Sequence, residues 1–186
     1  MYKRQTARGW AEVLDIHFRD TGGGAYFFTA DDAEALIIRT KSAADNATPA
    51  GNSVMAATLA RLYYLTGEES YRIRSEEIFK TFAGDVSKNF FPHTGLLCAN
   101  ELLQRCVQII IVGAPSGEDT KALLEAAWRA PNMNKLIYQI APGDTFPDGH
   151  PAAGKEQSND RATAYVCIGQ TCSLPLTAPA NLRAAL

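Results

Sequence analysis

The stretch "VQIIIVGAPSGEDTKALLEAAWRAPNMNKLIYQI", residues 107–140, decides the class of the C-terminal part of this chain. It opens on six residues that are nearly all apolar and β-branched, too short for a membrane helix and suited to a strand buried on both faces. "GEDTKALLEAAWRA" follows with helical spacing, and "NKLIYQI" is a second strand. A strand, a helix and a strand at this spacing predict a right-handed parallel crossover. Beyond it lie a long polar loop, "APGDTFPDGHPAAGKEQSNDR", and a third strand, "TAYVCIG". Loops of that length are usually functional or mobile. "TAPANLRAAL" closes the chain as a short helix.

Upstream the period is helical. "TARGWAEVLDIHFRD" places Trp10, Val13, Leu14, His17 and Phe18 at helical intervals, with Thr6 as N-cap and "TGGG" as the stop. From Ser53 three further helices follow, the first ending at Gly67. The second carries Tyr71, Ile78, Phe79 and Phe82 on one side, and the third lies in "PHTGLLCANELLQRC". Helices joined by short loops read as helical hairpins. Between these regions, "AYFFTADDAEALIIRTK" has the aromatic and β-branched runs of a β-hairpin at 25–40, with "ADDAE" as its turn. The expected organisation is a helical part over 1–105 carrying that β-hairpin, and a small α/β part over 106–186.

The chain of 186 residues carries 18 Lys and Arg against 20 Asp and Glu, a formal charge of −2. That balance argues against electrostatic binding to nucleic acid or an anionic membrane. With no apolar leader or membrane-length run, a cytoplasmic, reducing setting is expected, in which cysteines are thiols more often than disulfides.

Several residue sets carry chemistry. In "DNATPAGNS" (45–53), Asp45 would hold a sugar hydroxyl or act as acid or base, and Asn52 would donate and accept at once. The structural alternative is that Asn52 or Ser53 caps a helix while Asp45 orders the loop. Asp20, Asp31, Asp32 and Glu34 are further carboxylates, but spacing singles out no pair for glycoside hydrolysis. Of the three histidines, His17 falls on an apolar helix face and reads as a core residue. His93, near a helix start, is the better pocket residue, and His150 lies in the long loop. "VGAPSGEDTK" is a poor phosphate loop, since Glu118 and Asp119 put negative charge where phosphate would sit. Cys167 and Cys172 are four residues apart, too many for a thioredoxin-like redox motif and at the limit for a zinc knuckle. They read as structural thiols, a redox-sensitive pair or half of a metal site. "IGQTC" as a turn into a second short strand would bring them close enough to oxidise.

Five blocks in order, "GGGAYFF", "LIIRTKSAADNATPAGNS", "TKALLEA", "NKLI" and "ATAYVCIGQTCSLPLTAPANLRAAL", resemble the C-terminal part of the thioredoxin-domain-containing proteins related to spermatogenesis-associated protein. Ala50 and Asn46 depart from the family's preferred serine and glycine. The resemblance implies a mainly α fold. This would be a partial (α/α) toroid of helical hairpins, similar to six-hairpin glycosidases and N-acylglucosamine 2-epimerases, with the small parallel α/β tail beside it. The thioredoxin-like domain that opens family members has no counterpart in this chain. The implied function is a carbohydrate-binding or carbohydrate-active module, catalytically incomplete alone. Asp45 and His93 would be its catalytic candidates and Asn52 and Asp45 its substrate-binding ones. The implied partners are a sugar ligand and either a second copy or the missing N-terminal portion. No cofactor and no metal are expected. The alternatives are a structural segment of a larger thioredoxin-linked protein, or a thiol-based redox sensor.

Overall fold

The computed structural model describes residues 2–169 and 171–186, with side chains from Gln5 onward. The chain forms two compact units. One contains residues 1–63 and 68–104, and the other residues 64–67 and 105–186.

The first unit is built on four helices, α1 (Tyr2–His17), α2 (Gly51–Thr66), α3 (Glu69–Lys88) and α4 (Thr94–Arg105), with a 3-10 turn over Phe91–His93. Each contributes its apolar stripe to one core. α1 gives Ala11, α2 gives Met55 and Leu59, α3 gives Tyr71, Ile78 and Phe82, and α4 gives Leu96 and Ala99. Burying each of the larger side chains is worth about 1.5–3 kcal/mol. Ser75 on α3 donates its hydroxyl to the carbonyl of Ala56 on α2 at 3.0 Å, so a small polar residue is satisfied inside that core.

The expected β-hairpin at 25–40 does not form. Its residues make no ladder with one another, and Tyr26 instead forms an isolated bridge to Arg19. Ile37 is 101% exposed, and Leu36 and Ile38 also face outward. The composition favours strands, but a lone two-stranded hairpin is marginal without a sheet or helix to cover its apolar side. The segment is held by scattered backbone bonds, such as Phe28 N–H to the Thr40 carbonyl at 2.8 Å, and by side chains. The Arg39 guanidinium donates to the carbonyls of Thr29 at 2.5 Å and His17 at 3.0 Å. It also lies over the Phe27 ring, 4.2 Å from its centre.

The second unit is a four-stranded sheet of order β2-β1-β3-β4, made of β1 (Val107–Val112), β2 (Lys135–Ile140), β3 (Thr163–Ile168) and β4 (Thr171–Cys172), with α5 (Glu118–Arg129) and α6 (Pro179–Ala184). β1 and β2 run parallel across α5, the crossover read from the sequence. β3 joins the other side of β1 antiparallel, so the sheet is mixed. All six residues of β1 are buried. Val107, Ile109 and Ile111 pack with Leu123, Ala126 and Ala127 of α5 and with Leu182 of α6. Ile110 and Val112 face the opposite side, with Ile140, Ala152 and Cys167. This alternation is why the strand reads as an unbroken apolar run. Its one polar member, Gln108, donates its side-chain amide to the Tyr64 carbonyl at 2.7 Å.

Candidate functional site

Leu14 of α1 and Phe18, just past its end, form one wall of a hollow in the helical unit. The segment Tyr26–Phe28 forms the second wall, with Ser42 beside it. The first turn of α2 contributes Gly51 and Asn52, and the next turn Met55. The enclosed space is about 240 Å³, small for a ligand cavity and lined mainly by apolar and aromatic groups.

A turn aims the aromatic wall. Gly24 and Ala25 both have left-handed backbone angles, φ 69° and 62°. The Asp20 carboxylate accepts the N–H groups of Gly22 and Gly23, and Lys41 binds Asp20 at 2.6 Å and the Gly24 carbonyl at 2.9 Å. The Lys41 ammonium and the Gly23 N–H hold the Asp20 carboxyl down to about 2, against a smaller opposing effect of burial.

Asn52 then fixes Tyr26. Its side-chain oxygen accepts the Tyr26 N–H at 2.9 Å, and its amide nitrogen donates to the carbonyls of Tyr26 and Ser42, each at 2.9 Å. It is 5% exposed. Asn52 lines the hollow, and its polar atoms bond the backbone of Tyr26 and Ser42. The Tyr26 hydroxyl donates to Asp15 at 2.5 Å, and Asp15 is ion-paired to Arg74. Burial pushes the Tyr26 hydroxyl up to about 12, with Arg19 opposing and Glu77 adding to the effect. Gly51 and Asn52 of this lining belong to the first turn of α2, and a helix start is where backbone N–H groups lack intrahelical partners.

The two residues read as catalytic lie elsewhere in the unit and near each other. One Asp45 oxygen accepts the Ala50 N–H at 2.9 Å, and the other accepts the Gly95 N–H at 2.6 Å and the Thr94 hydroxyl at 3.3 Å. Partial burial opposes its ionisation, but the Ala50 and Gly95 N–H groups, the Thr94 hydroxyl and His93 outweigh it and lower its pKa. His93 is buried, with a ring nitrogen 3.0 Å from the Asn89 carbonyl. Through these contacts Asp45 bridges the starts of α2 and α4.

His17 is half-buried and not a core residue. Its ring nitrogen lies 2.8 Å from Asp31 and 3.6 Å from Asp32. The hydrogen bond to Asp31 raises the His17 pKa, overcoming the opposing effect of burial, and Asp32 adds to the rise. The three donor atoms lie within 4.8 Å of one another at an exposed surface.

In the sheet unit, the loop after β2 lines a second hollow of about 490 Å³ with Val112, Asp144, Phe146 and Lys155. At the start of α5, Asp119 accepts the N–H groups of Ala162 at 2.7 Å and Thr120 at 2.9 Å, so the poor phosphate loop is closed by its own carboxylate. Cys167 and Cys172, read as structural thiols, a redox-sensitive pair or half of a metal site, are bonded to each other as a disulfide. Cys98 and Cys106 are not disulfide-bonded.

Sequence reasoning missed the aromatic wall because Tyr26–Phe28 was read as a strand. The signal was the aromatic run placed directly after a glycine turn.

The chain thus comprises a helical unit that carries a small, mainly apolar hollow and a unit built on a small mixed sheet, and among the described residues no helix is long and apolar enough to cross a membrane. Along nearly its whole length the sequence is similar to spermatogenesis-associated protein 20. Identity is 29% to the protein of Rattus norvegicus and 29% to that of Homo sapiens, each over 98% of this chain and 25% of theirs. The Mus musculus protein is 28% identical over the same shares. The chain spans about a quarter of the length of these curated relatives. No family model matches it.

Proposed function

We propose that this chain is a carbohydrate-binding segment of a larger thioredoxin-linked protein of the spermatogenesis-associated type, with binding rather than catalysis as its role. The observation that carries this reading is the pocket at the start of α2. Aromatic walls from Phe18, Tyr26, Phe27 and Phe28 suit the C–H face of a sugar ring, and helix N–H groups suit its hydroxyl oxygens. A toroid of helical hairpins, of which α1–α4 would be a part, places pockets at such helix starts. Catalysis is disfavoured because the Asp45 carboxylate is engaged by backbone donors and His93 is buried.

The test is a titration of the protein with a panel of neutral and N-acetylated monosaccharides and disaccharides, followed by NMR. Saturable shifts of Gly51, Asn52 and Phe28 are expected, weakened at least about tenfold, or about 1.4 kcal/mol, in Phe28→Ala. Phe28 is 81% exposed, so this variant keeps its melting temperature. Absence of any saturable shift at about 10 mM sugar would end the carbohydrate reading.

A second reading, a structural segment that docks the remainder of a longer protein, is favoured by α1. Trp10 is 70% and Ile16 67% exposed, and Val13 lies between them on one stripe. With Leu14 and Phe18 packed inward, α1 is apolar on both sides, as a helix buried between neighbours would be. Loss of co-purification with the preceding region of a full-length protein in Trp10→Glu/Ile16→Glu would support it.

A further inference from the structure

We infer that the Cys167–Cys172 disulfide is a thiol-exchange site, opened by a dithiol that attacks at Cys172. The two cysteines are directly opposite in the antiparallel β3–β4 ladder. Their neighbours Val166 and Ser173 share a backbone hydrogen bond, Ser173 N–H to the Val166 carbonyl at 2.8 Å. Hydrogen-bonded and non-hydrogen-bonded pairs alternate along such a ladder, so 167–172 is a non-hydrogen-bonded pair, the kind that brings side chains closest. The Cα atoms are 4.0 Å apart.

The two halves of the bond differ in access. Cys167 is 3% exposed, packed against the sheet face with Ile110, Val112 and Ala152. Cys172 is exposed, on a strand of two residues with its outer side unpaired among the described residues. An incoming thiolate therefore meets the Cys172 sulfur. Attack forms a mixed disulfide at Cys172 and breaks the 167–172 bond. The electron pair goes to the Cys167 sulfur, which takes up a proton. With a monothiol this intermediate collapses, because Cys167 stays held opposite Cys172 and re-attacks at high effective concentration. With a dithiol, the second thiol of the reductant attacks its own sulfur in the mixed disulfide. That step releases Cys172 as a thiolate and leaves the reductant as a disulfide. Two electrons and two protons are transferred in all. Backbone pairing of Ser173 with Val166 and of Leu176 with Ala164 survives the cut, so the site opens and recloses within a folded unit.

The purified chain is exposed to dithiothreitol or to glutathione at matched ambient potential, quenched with N-ethylmaleimide and mapped by peptide mass spectrometry. Without reductant, the peptide holding both cysteines should lie about 2 Da below its dithiol mass and take no label. With dithiothreitol it should take labels at both positions while the circular dichroism spectrum is unchanged. With glutathione, any trapped adduct should sit on Cys172. Exposed to oxidised glutathione, the Cys167→Ser variant should form a stable adduct at Cys172 by exchange, releasing one reduced glutathione, and Cys172→Ser should take none in the native state. Since the wild-type map is decisive alone, a variant that fails to fold does not rescue the proposal. Full labelling without reductant, glutathione on Cys167, or resistance of the native protein to dithiothreitol would each overturn it.

Discussion

The carboxylate of Asp45 accepts the backbone N–H of Gly95 at 2.6 Å across fifty residues of sequence, while its other oxygen takes the Ala50 N–H at 2.9 Å. One side chain thus closes the starts of two helices, α2 and α4, and its negative charge lies at the positive ends of both. Asp45→Ala should lower stability by about 1–2 kcal/mol in urea denaturation, in the range of a lost N-cap, and leave any sugar affinity unchanged. The pKa of Asp45 is depressed in the folded protein. Its contribution is therefore present above the ordinary carboxylate pKa and is lost as pH falls through the depressed folded value. The stability gap between wild type and Asp45→Asn should narrow on acidification from neutral pH. A gap that stays constant through the acid range would show that the charge of Asp45 is not what matters.

Asn52 has a larger effect on the fold. Removing its amide leaves the Tyr26 N–H, the Tyr26 carbonyl and the Ser42 carbonyl without their partner in a buried place. Each unsatisfied buried group costs about 1–3 kcal/mol before relaxation. Asn52→Ala should destabilise the helical unit by about 3 kcal/mol, and Asn52→Asp by a similar amount because it removes both donors and buries a charge. Thermal melts monitored at Tyr26 would read this directly. An unchanged melting temperature in both variants would remove Asn52 from its role as the brace of the pocket wall.

These two residues show how far the sequence could be read. "DNATPAGNS" was recognisable as a place where polar side chains meet a helix start. The partners that settle their roles, however, lie at Tyr26 and Gly95, distances over which local pattern carries no information. β1 was legible because burial on both faces leaves one signature, a continuous apolar run. The direction of β3 was not, since a long loop can return a strand either way. The false hairpin at 25–40 has true local propensity in Leu36–Ile38 but no sheet to receive it. The cysteine pairing was legible in part. A turn at Gly169, which takes a left-handed φ of 58°, sets Cys167 opposite Cys172, but only burial tells which sulfur is accessible. Gln170 lies outside the described residues.

His17 offers a pH test. Its pKa is raised chiefly by the hydrogen bond to Asp31. A raised folded pKa means that the pairing stabilises fully below the ordinary histidine value of about 6.5 and is lost as pH rises through the folded value. An NMR titration of the His17 ring should give a midpoint above that of an unstructured peptide, and Asp31→Asn should move it down. A midpoint at or below the peptide value in the wild type would show that the pair does not persist in solution.

Gly67 ends α2 with a left-handed backbone, φ 75°, where an L-residue costs about 1–2 kcal/mol. The position is also closed sterically, because a Cβ there would run into the carbonyl oxygen of Gly149. Both residues belong to the sheet unit. Backbone strain and backbone collision therefore act together, and no flexible side chain is available to yield. Gly67→Ala should destabilise by about 2 kcal/mol or more, with faster hydrogen exchange around residues 147–152. Gly51→Ala is the control. Its Cβ would meet nothing within 4 Å, and its φ is not left-handed, so stability should hold or rise slightly. Equal melting temperatures for the two variants would show that the chain at 149 gives way freely and that Gly67 is only a helix stop.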